Sequence, residues 1–80
     1  MPSPTAAQLG SAIRQLRKKR DLSIEALANE AGIHPTYLSG IERGSKSADN
    51  PSWNLLISIC DVLEVDIHEL VILAAAVEPS

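Results

Sequence analysis

Residues 22–44, LSIEALANEAGIHPTYLSGIERG, contain the pattern that decides the fold. The first part has one apolar helical face, because its apolar residues recur at three- and four-residue spacing: Ile24, Leu27, Ala28 and Ala31. Ser23 can cap this helix by accepting a backbone N–H from the first turn. Gly32 can end it, since glycine takes the left-handed conformation without strain. The pattern predicts a short helix between Ser23 and Gly32.

A second short helix is predicted directly after this turn. His34 and Pro35 open it, and proline costs nothing at the first helical position because the N–H it lacks has no partner there. Leu38 and Ile41 are expected to point inward, and Gly44 is expected to end the helix. The positions left to face outward are Thr36, Tyr37, Ser39, Gly40 and Arg43. Two short helices joined by a turn of three to four residues are typical of a helix-turn-helix unit.

The rest of the chain predicts three more helices and no strands. The first runs from about Thr5 to Arg20 and the fourth from about Ser52 to Leu63, with Asn50 and Pro51 as its cap and first residue. Asp66 and Glu69 have the spacing of a capping box at the start of a fifth helix. We therefore predict an all-α, five-helix domain over residues 6–76, with a disordered tail at 1–5 and a second tail at 77–80.

These segments resemble the helix-turn-helix domain of the Cro and phage-repressor superfamily, also called the XRE family. The matching motifs cover about residues 9–73 and are IRQLR (13–17), LS (22–23), LA (27–28), GI (32–33), YLS (37–39), IERG (41–44), NPS (50–52) and LEV (63–65). The run from His34 to Arg43 is most similar to small controller proteins of restriction–modification systems. The resemblance implies a lambda-repressor-like, sequence-specific transcriptional regulator that binds a palindromic DNA operator as a homodimer.

The resemblance also implies which side chains would face the bases, because the second helix of such a unit lies in the major groove. These positions are His34, Pro35, Thr36, Tyr37, Ser39 and Gly40. His34 could read guanine as a donor or could only cap the helix. Gly40 would allow the backbone to approach either DNA or a neighbouring helix. The family commonly places glutamine after the cap of helix 2, where this chain has Ile24.

Phosphate contacts are expected around the same two helices. Each of the side chains concerned carries a hydroxyl, an amide or a positive charge, and some lie at a helix N-terminus, which favours anions. They are Ser23, Tyr37, Arg43, Lys46, Asn50 and Ser52. Arg17 and Glu42 occupy positions that form an ion pair between helices 1 and 3 in this family. That pair would hold the reading helix at its angle. The alternative is two ordinary surface charges.

The distribution of charge is more informative than the net value of −3. Residues 1–46 contain all seven basic residues and four acidic ones, a net charge of +3, whereas residues 47–80 contain six acidic and no basic residues. A chain with one positive half can bind phosphates through that half. One interpretation of the acidic half is that it reduces indiscriminate DNA binding, and the alternative is that its acidic residues only solvate the last two helices. The basic cluster at 18–20 is either a solvated helix end or close to the path of a phosphate backbone.

The last two predicted helices carry more aliphatic residues than a small core needs. The surplus residues are Leu55, Ile59, Val62, Ile72 and Val77. They predict a dimer interface formed by Leu55, Ile59, Val62, Val71 and Ile72. The alternative is that such amphipathic helices are entirely core. A two-fold dimer is what a reader of two half-sites requires, and this favours the interface.

Several functional classes do not fit the sequence. One cysteine, Cys60, excludes an internal disulfide and a cysteine-based zinc site, and its apolar surroundings predict simple packing. No catalytic constellation, metal site or cofactor site is recognisable, so we do not expect an enzyme. No secretory signal or membrane span is expected, which predicts a cytoplasmic, nucleoid-associated prokaryotic protein. The rival hypothesis is a protein-interaction module of the same fold, antitoxin-like or enzyme-inhibiting, with weak or secondary DNA binding.

Overall fold

The computed structural model describes residues 5–44 and 52–77, and these residues form five α-helices and no β-strand. The helices are α1 (Ala6–Lys19), α2 (Ile24–Ala31), α3 (Pro35–Arg43), α4 (Trp53–Leu63) and α5 (Ile67–Ala76). The prediction of an all-α, five-helix domain with a helix-turn-helix at the second and third helices is confirmed. None of the helices in these two ranges is long and apolar enough to cross a bilayer.

Local capping explains where the helices begin and end. A side chain at each N-cap accepts a backbone N–H from the first turn, and the five caps are Thr5, Ser23, His34, Ser52 and Asp66. Asp66 forms the capping box with Glu69 that its spacing predicts. Gly32 and Gly44 end α2 and α3 with φ values of 76° and 67°, a conformation that strains any residue with a side chain. The helix-turn-helix is therefore delimited by local interactions alone.

The fourth helix begins one residue after its predicted start at about Ser52. Ser52 is the N-cap of α4, and its Oγ accepts the Leu55 N–H at 3.1 Å, so the helix begins at Trp53. The predictions for Asn50 as cap and Pro51 as first residue fall on residues outside the described ranges. Serine is as good a cap as asparagine.

Both ends of the domain extend slightly beyond residues 6–76. Thr5, assigned to a tail from the sequence, closes a capping box with Gln8 at the start of α1. The side-chain amide of Gln8 donates to the carbonyl oxygen of Val77 at 2.9 Å, so the end of α5 is held against the start of α1. Thr5 and Val77 therefore belong to the folded domain.

α1 is the central helix of the fold. It packs against α3 on one side and α5 on the other, while α2 packs against α3 and α4. The fully buried large side chains are all aliphatic: Ile13, Leu27, Leu38, Ile59, Leu63 and Leu70. Burying each such side chain is worth about 1.5–3 kcal/mol. Cys60 is buried among them, and this burial raises the pKa of its thiol to about 11, which fits its predicted packing role.

α1 and α3 approach so closely that only glycine fits between them. A Cβ added at Gly10 would lie 2.1 Å from the carbonyl oxygen of Ile41 and 2.8 Å from that of Glu42. The obstacle is backbone, which cannot swing aside as a flexible side chain can. At its end, α3 also meets the start of α1, because a Cβ at Gly44 would lie 2.8 Å from the Cα of Ala7. These two contacts fix the position of α3 on α1.

Candidate nucleic-acid interface

The outward face of α3 carries most of the predicted contact residues. Thr36, Tyr37 and Arg43 are exposed, whereas Pro35 and Ser39 are half-buried. Leu38 and Ile41 on the opposite face are buried in the core. The helix therefore presents two hydroxyl groups and one guanidinium to solvent while its apolar side anchors it.

His34 occupies the N-cap of α3, and its Nδ1 accepts the backbone N–H of Thr36 at 3.0 Å. The capping role that the sequence left open is thus present in the structure. Because Nδ1 accepts, a neutral ring carries its proton on Nε2, and the exposed ring can offer that N–H to an acceptor such as guanine O6 or N7. Capping and base reading are compatible for this residue.

Gly40 does not belong to the base-reading set. It is buried, so its backbone is not accessible to a DNA molecule lying on the outer face of α3. Of the two explanations that the sequence allowed for a glycine inside this helix, close approach to a neighbouring element of the protein is the one that its burial supports. The prediction that Gly40 faces the bases is wrong.

Arg17 and Glu42 form a two-pronged ion pair between α1 and α3. Arg17 Nε donates to Glu42 Oε2 at 2.7 Å and Nη2 donates to Oε1 at 3.0 Å, with only 11% and 5% of the two side chains exposed. Arg17 Nη1 also donates to the carbonyl oxygen of Leu22 at 2.8 Å, which ties in the segment before α2. The hydrogen bonds to Glu42 raise the pKa of Arg17, so the guanidinium stays charged. Arg17 and Glu42 thus hold together α1, α3 and the segment before α2.

The predicted phosphate contacts are only partly within the described residues. Ser23 and Ser52 are exposed N-caps whose Oγ atoms accept from Ala26 and Leu55 at 3.0 and 3.1 Å. A hydroxyl that accepts one hydrogen bond still has its own proton to donate to a phosphate. The predictions for Lys46 and Asn50 fall on residues outside the described ranges.

A groove that the sequence did not reveal lies beside α3. Its volume is about 260 Å³, and its lining residues come from α1, α2 and α3: Arg14, Arg17, Ile24, Ser39, Glu42 and Arg43. Arg14 is exposed and was missed, since the apolar pattern of α1 does not show which neighbour its polar face meets. The available signal was its position one turn before Arg17, which places both arginines on adjacent parts of one helical face.

The basic cluster at the end of α1 lies away from this groove. Lys19 and Arg20 line a different groove, with residues of the α4–α5 region that include Glu69. Arg20 also forms an exposed ion pair with Glu64. Lys19 and Arg20 therefore lie beside residues of the acidic half rather than in the groove next to α3.

The residues predicted for a dimer interface separate into two groups. Val71 and Ile72 on α5 are 40% and 59% exposed, and Leu55 and Val62 on α4 are half-buried. Ile59 is fully buried in the core, so its assignment to an interface is wrong. Trp53, at the start of α4, is 61% exposed and was not among the predicted residues.

A family model described as a helix-turn-helix domain matches residues 8–71 of this chain. The chain therefore belongs to the helix-turn-helix domain family, of the Cro and phage-repressor (XRE) type that its sequence motifs resemble. The HTH-type transcriptional regulator SinR of Bacillus subtilis is 40% identical over 62 residues, which are 78% of this chain and 54% of SinR. The chain spans about half the length of the curated relatives it matches.

Solved structures give the same result. The clp gene regulator ClgR of Corynebacterium glutamicum matches with a TM-score of 0.82 and 33% identity over 92% of both chains. The restriction–modification controller protein C.AhdI of Aeromonas hydrophila matches with a TM-score of 0.74 and 31% identity, over 81% of this chain and 94% of that one. The structure of SinR in complex with DNA matches with a TM-score of 0.70 and 40% identity, over 78% of this chain and 95% of that one. A solved structure of a complex between the SinR and SinI proteins also matches, with a TM-score of 0.70.

Proposed function

We propose that this chain is a sequence-specific DNA-binding transcriptional regulator that acts as a homodimer on a palindromic operator. The observation that carries the proposal is the outward face of α3, where Thr36, Tyr37 and Arg43 are exposed on a helix anchored by the Arg17–Glu42 pair. A helix presented in this way can enter the major groove, with its N-terminal residues against base edges. The similarity to SinR, which has been crystallised with DNA, supports this function. A regulator of this kind would work on the chromosome in a prokaryotic cytoplasm.

Base reading and phosphate contacts would be made by different residues on and around α3. Thr36 can donate, accept or place its methyl group on a thymine methyl, and His34 can donate from Nε2, so the N-terminal end would read bases. Pro35 can offer only apolar contact, and Ser39 is half-buried. Arg43, Tyr37, Ser23 and Ser52 would contact phosphates, which set the register of the protein without reading sequence.

This division predicts different salt dependences for two substitutions. Arg43→Ala should weaken binding to operator and random duplexes alike, and should lower the slope of log K against log salt by about one unit. Thr36→Ala should leave the slope unchanged. It should reduce the difference in binding free energy between operator and random duplexes by roughly 1 kcal/mol, which is less than a two-pronged base contact contributes. The measurement is a binding titration of each variant across a salt series, on a duplex selected from a random pool.

The controls for this experiment lie on the same helix and its cap. Tyr37→Phe removes one hydroxyl without changing charge, so it should slightly weaken binding to both duplexes. The specificity ratio, which is the affinity for operator divided by the affinity for random DNA, should be preserved. If Thr36→Ala and His34→Ala both leave the specificity ratio unchanged, α3 is not the reader. A wild-type chain that binds no duplex at low salt would overturn the proposed function itself.

The homodimer is proposed from the exposed apolar face of α5. Val71 and Ile72 are both more exposed than core residues of a monomer would be, and Ala75 and Ala76, one turn further along, are exposed too. A second copy related by a two-fold axis would cover this face with the same residues, as isologous interfaces do. Such a dimer would also present two reading helices to two half-sites.

Ile72→Asp should convert the dimer to a folded monomer, because a buried unpaired charge is costly in an apolar interface. The wild-type chain should sediment near 17 kDa, about twice the 8.6 kDa chain, and the variant near the single-chain mass. Gln15→Asp, which adds the same charge at an exposed polar position of α1, should remain dimeric. A wild-type chain that is monomeric at about 100 µM, well above the Kd of a stable dimer, would contradict the proposal.

The second candidate function is a protein-interaction module of the same fold. The exposed apolar face of α5 would then bind a different protein, a reading that the complex of SinR with SinI favours. Salt dependence distinguishes the two functions, since counterion release makes true DNA binding fall steeply with salt. Weak DNA binding with a shallow slope would favour the interaction module.

A further inference from the structure

The groove between α1, α2 and α3 has the chemistry of a phosphate site. Arg14 enters it from α1 and Arg43 from the end of α3, and both residues are exposed. Ile24 and Ser39 also line it, so the groove adjoins the face of α3 that the proposed function places against DNA. Two guanidinium groups lining one groove can both donate to an anion that lies between them, and planar guanidinium groups are well matched to phosphate oxygens.

The other charges in this groove are already neutralised. Arg17 and Glu42 bind each other through two hydrogen bonds, and most of both side chains is buried. Ile24 offers no hydrogen-bond donor. Within the described residues Arg14 forms no ion pair, so its charge is available to a partner. Glu25, which follows Ile24, contributes a negative charge near Arg17. Among the residues that line the groove, the charge left for a ligand is positive and comes from Arg14 and Arg43.

We propose that this groove binds one backbone phosphate of the DNA, with Arg14 and Arg43 on either side of it. The proposal deepens the proposed function and rests on it, since the ligand is a phosphodiester of the same duplex that α3 would read. Arg14 is then a positioning residue on α1. It would fix the angle of the duplex relative to α1 as well as α3, and would contribute affinity without sequence preference.

Arg14→Gln and Lys19→Gln form a matched pair that tests this role. Each removes one positive charge from an exposed position of α1, but Lys19 lines the groove beside Glu69 on the other side of the helix. Arg14→Gln should reduce affinity for operator and random duplexes by about tenfold and lower the salt slope by about 0.9, as loss of one phosphate contact predicts. Lys19→Gln should change the slope by much less. Equal effects of the two variants would mean that only long-range charge matters, and would overturn the proposal.

Neutral methylphosphonate linkages placed singly along the operator would identify the phosphate concerned. At one linkage per half-site the wild type should lose about tenfold in affinity, while Arg14→Gln should lose clearly less, because only Arg43 still contacts that phosphate in the variant. This non-additivity distinguishes a DNA phosphate from a free phosphate ion as the ligand. If Arg43→Ala lowers the salt slope and Arg14→Gln does not, this inference fails while the proposed function stands. If the wild-type chain binds no duplex at all, the proposed function fails.

Discussion

Gly10→Ala is expected to cause one of the largest losses of stability available from a single methyl group in this chain. The added Cβ would meet the carbonyl oxygen of Ile41 at 2.1 Å, and helix α3 would have to move away from α1 to relieve the contact. Alanine is favoured over glycine inside a helix by about 1 kcal/mol, which should be overwhelmed here. We expect a net loss at or above about 3 kcal/mol, or a fall in Tm of about 12 °C or more, measured by thermal unfolding.

Gly32→Ala is the matched control, because it makes the same chemical change for a different physical reason. A Cβ at Gly32 would meet nothing within 4 Å, so the cost comes only from its φ of 76°. That cost should be about 1–2 kcal/mol. Gly10→Ala should also weaken DNA binding in the protein that remains folded, since α3 is displaced. A Gly10→Ala variant as stable as Gly32→Ala would show that α1 and α3 do not meet as closely as described.

Arg17→Ala is expected to destabilise the domain by about 3–5 kcal/mol, because it leaves Glu42 as an uncompensated carboxylate in a site where 5% of that side chain is exposed. The substitution also removes the donor to the carbonyl oxygen of Leu22. Since hydrogen bonding to Glu42 raises the pKa of Arg17, the stability that this arginine contributes is lost only as the pH rises through that raised pKa. The loss of unfolding free energy in Arg17→Ala should therefore be the same at every pH in the neutral range.

A double-mutant cycle separates the ion pair from two independent charges. Glu42→Ala should also be costly, because it leaves the guanidinium of Arg17 buried without its partner. The double variant should be more stable than the sum of the single losses predicts, by about 1–3 kcal/mol. Single losses below about 1 kcal/mol that add together would mean that the pair behaves as a surface salt bridge. The exposed Arg20–Glu64 pair serves as the comparison, and its cycle should show almost no coupling.

Much of the helix-turn-helix could be predicted because its signals are local. Ser23 and the left-handed glycines Gly32 and Gly44 act within one turn of their own positions, so their residue types alone indicate helix ends. The spacing of apolar residues likewise indicates which side of α3 is buried. The family register added Arg17 and Glu42, which lie 25 residues apart along the chain and have no local signal that they meet.

Features that depend on how helices pack could not be read from spacing. Ile59 fits an outer stripe of α4 as well as an inner one, and only the packing of the neighbouring helices buries it fully. Gly40 looks accessible on a helical wheel and is buried by other parts of the protein. The capping role of Ser52 at the start of α4 was not predicted from the sequence, and the hydrogen bond from the Leu55 N–H to Ser52 Oγ establishes it.

The sequence by itself determined the helices of this protein, their order and the apolar face of α2, because capping and periodicity are properties of neighbouring residues. Only the tertiary structure decided that Gly10 lets α1 lie against the backbone of α3, and that Arg14 shares a groove with Arg43. Both facts depend on the distance and angle between helices that are far apart in the chain. Those quantities result from the simultaneous packing of many side chains, which no single segment encodes.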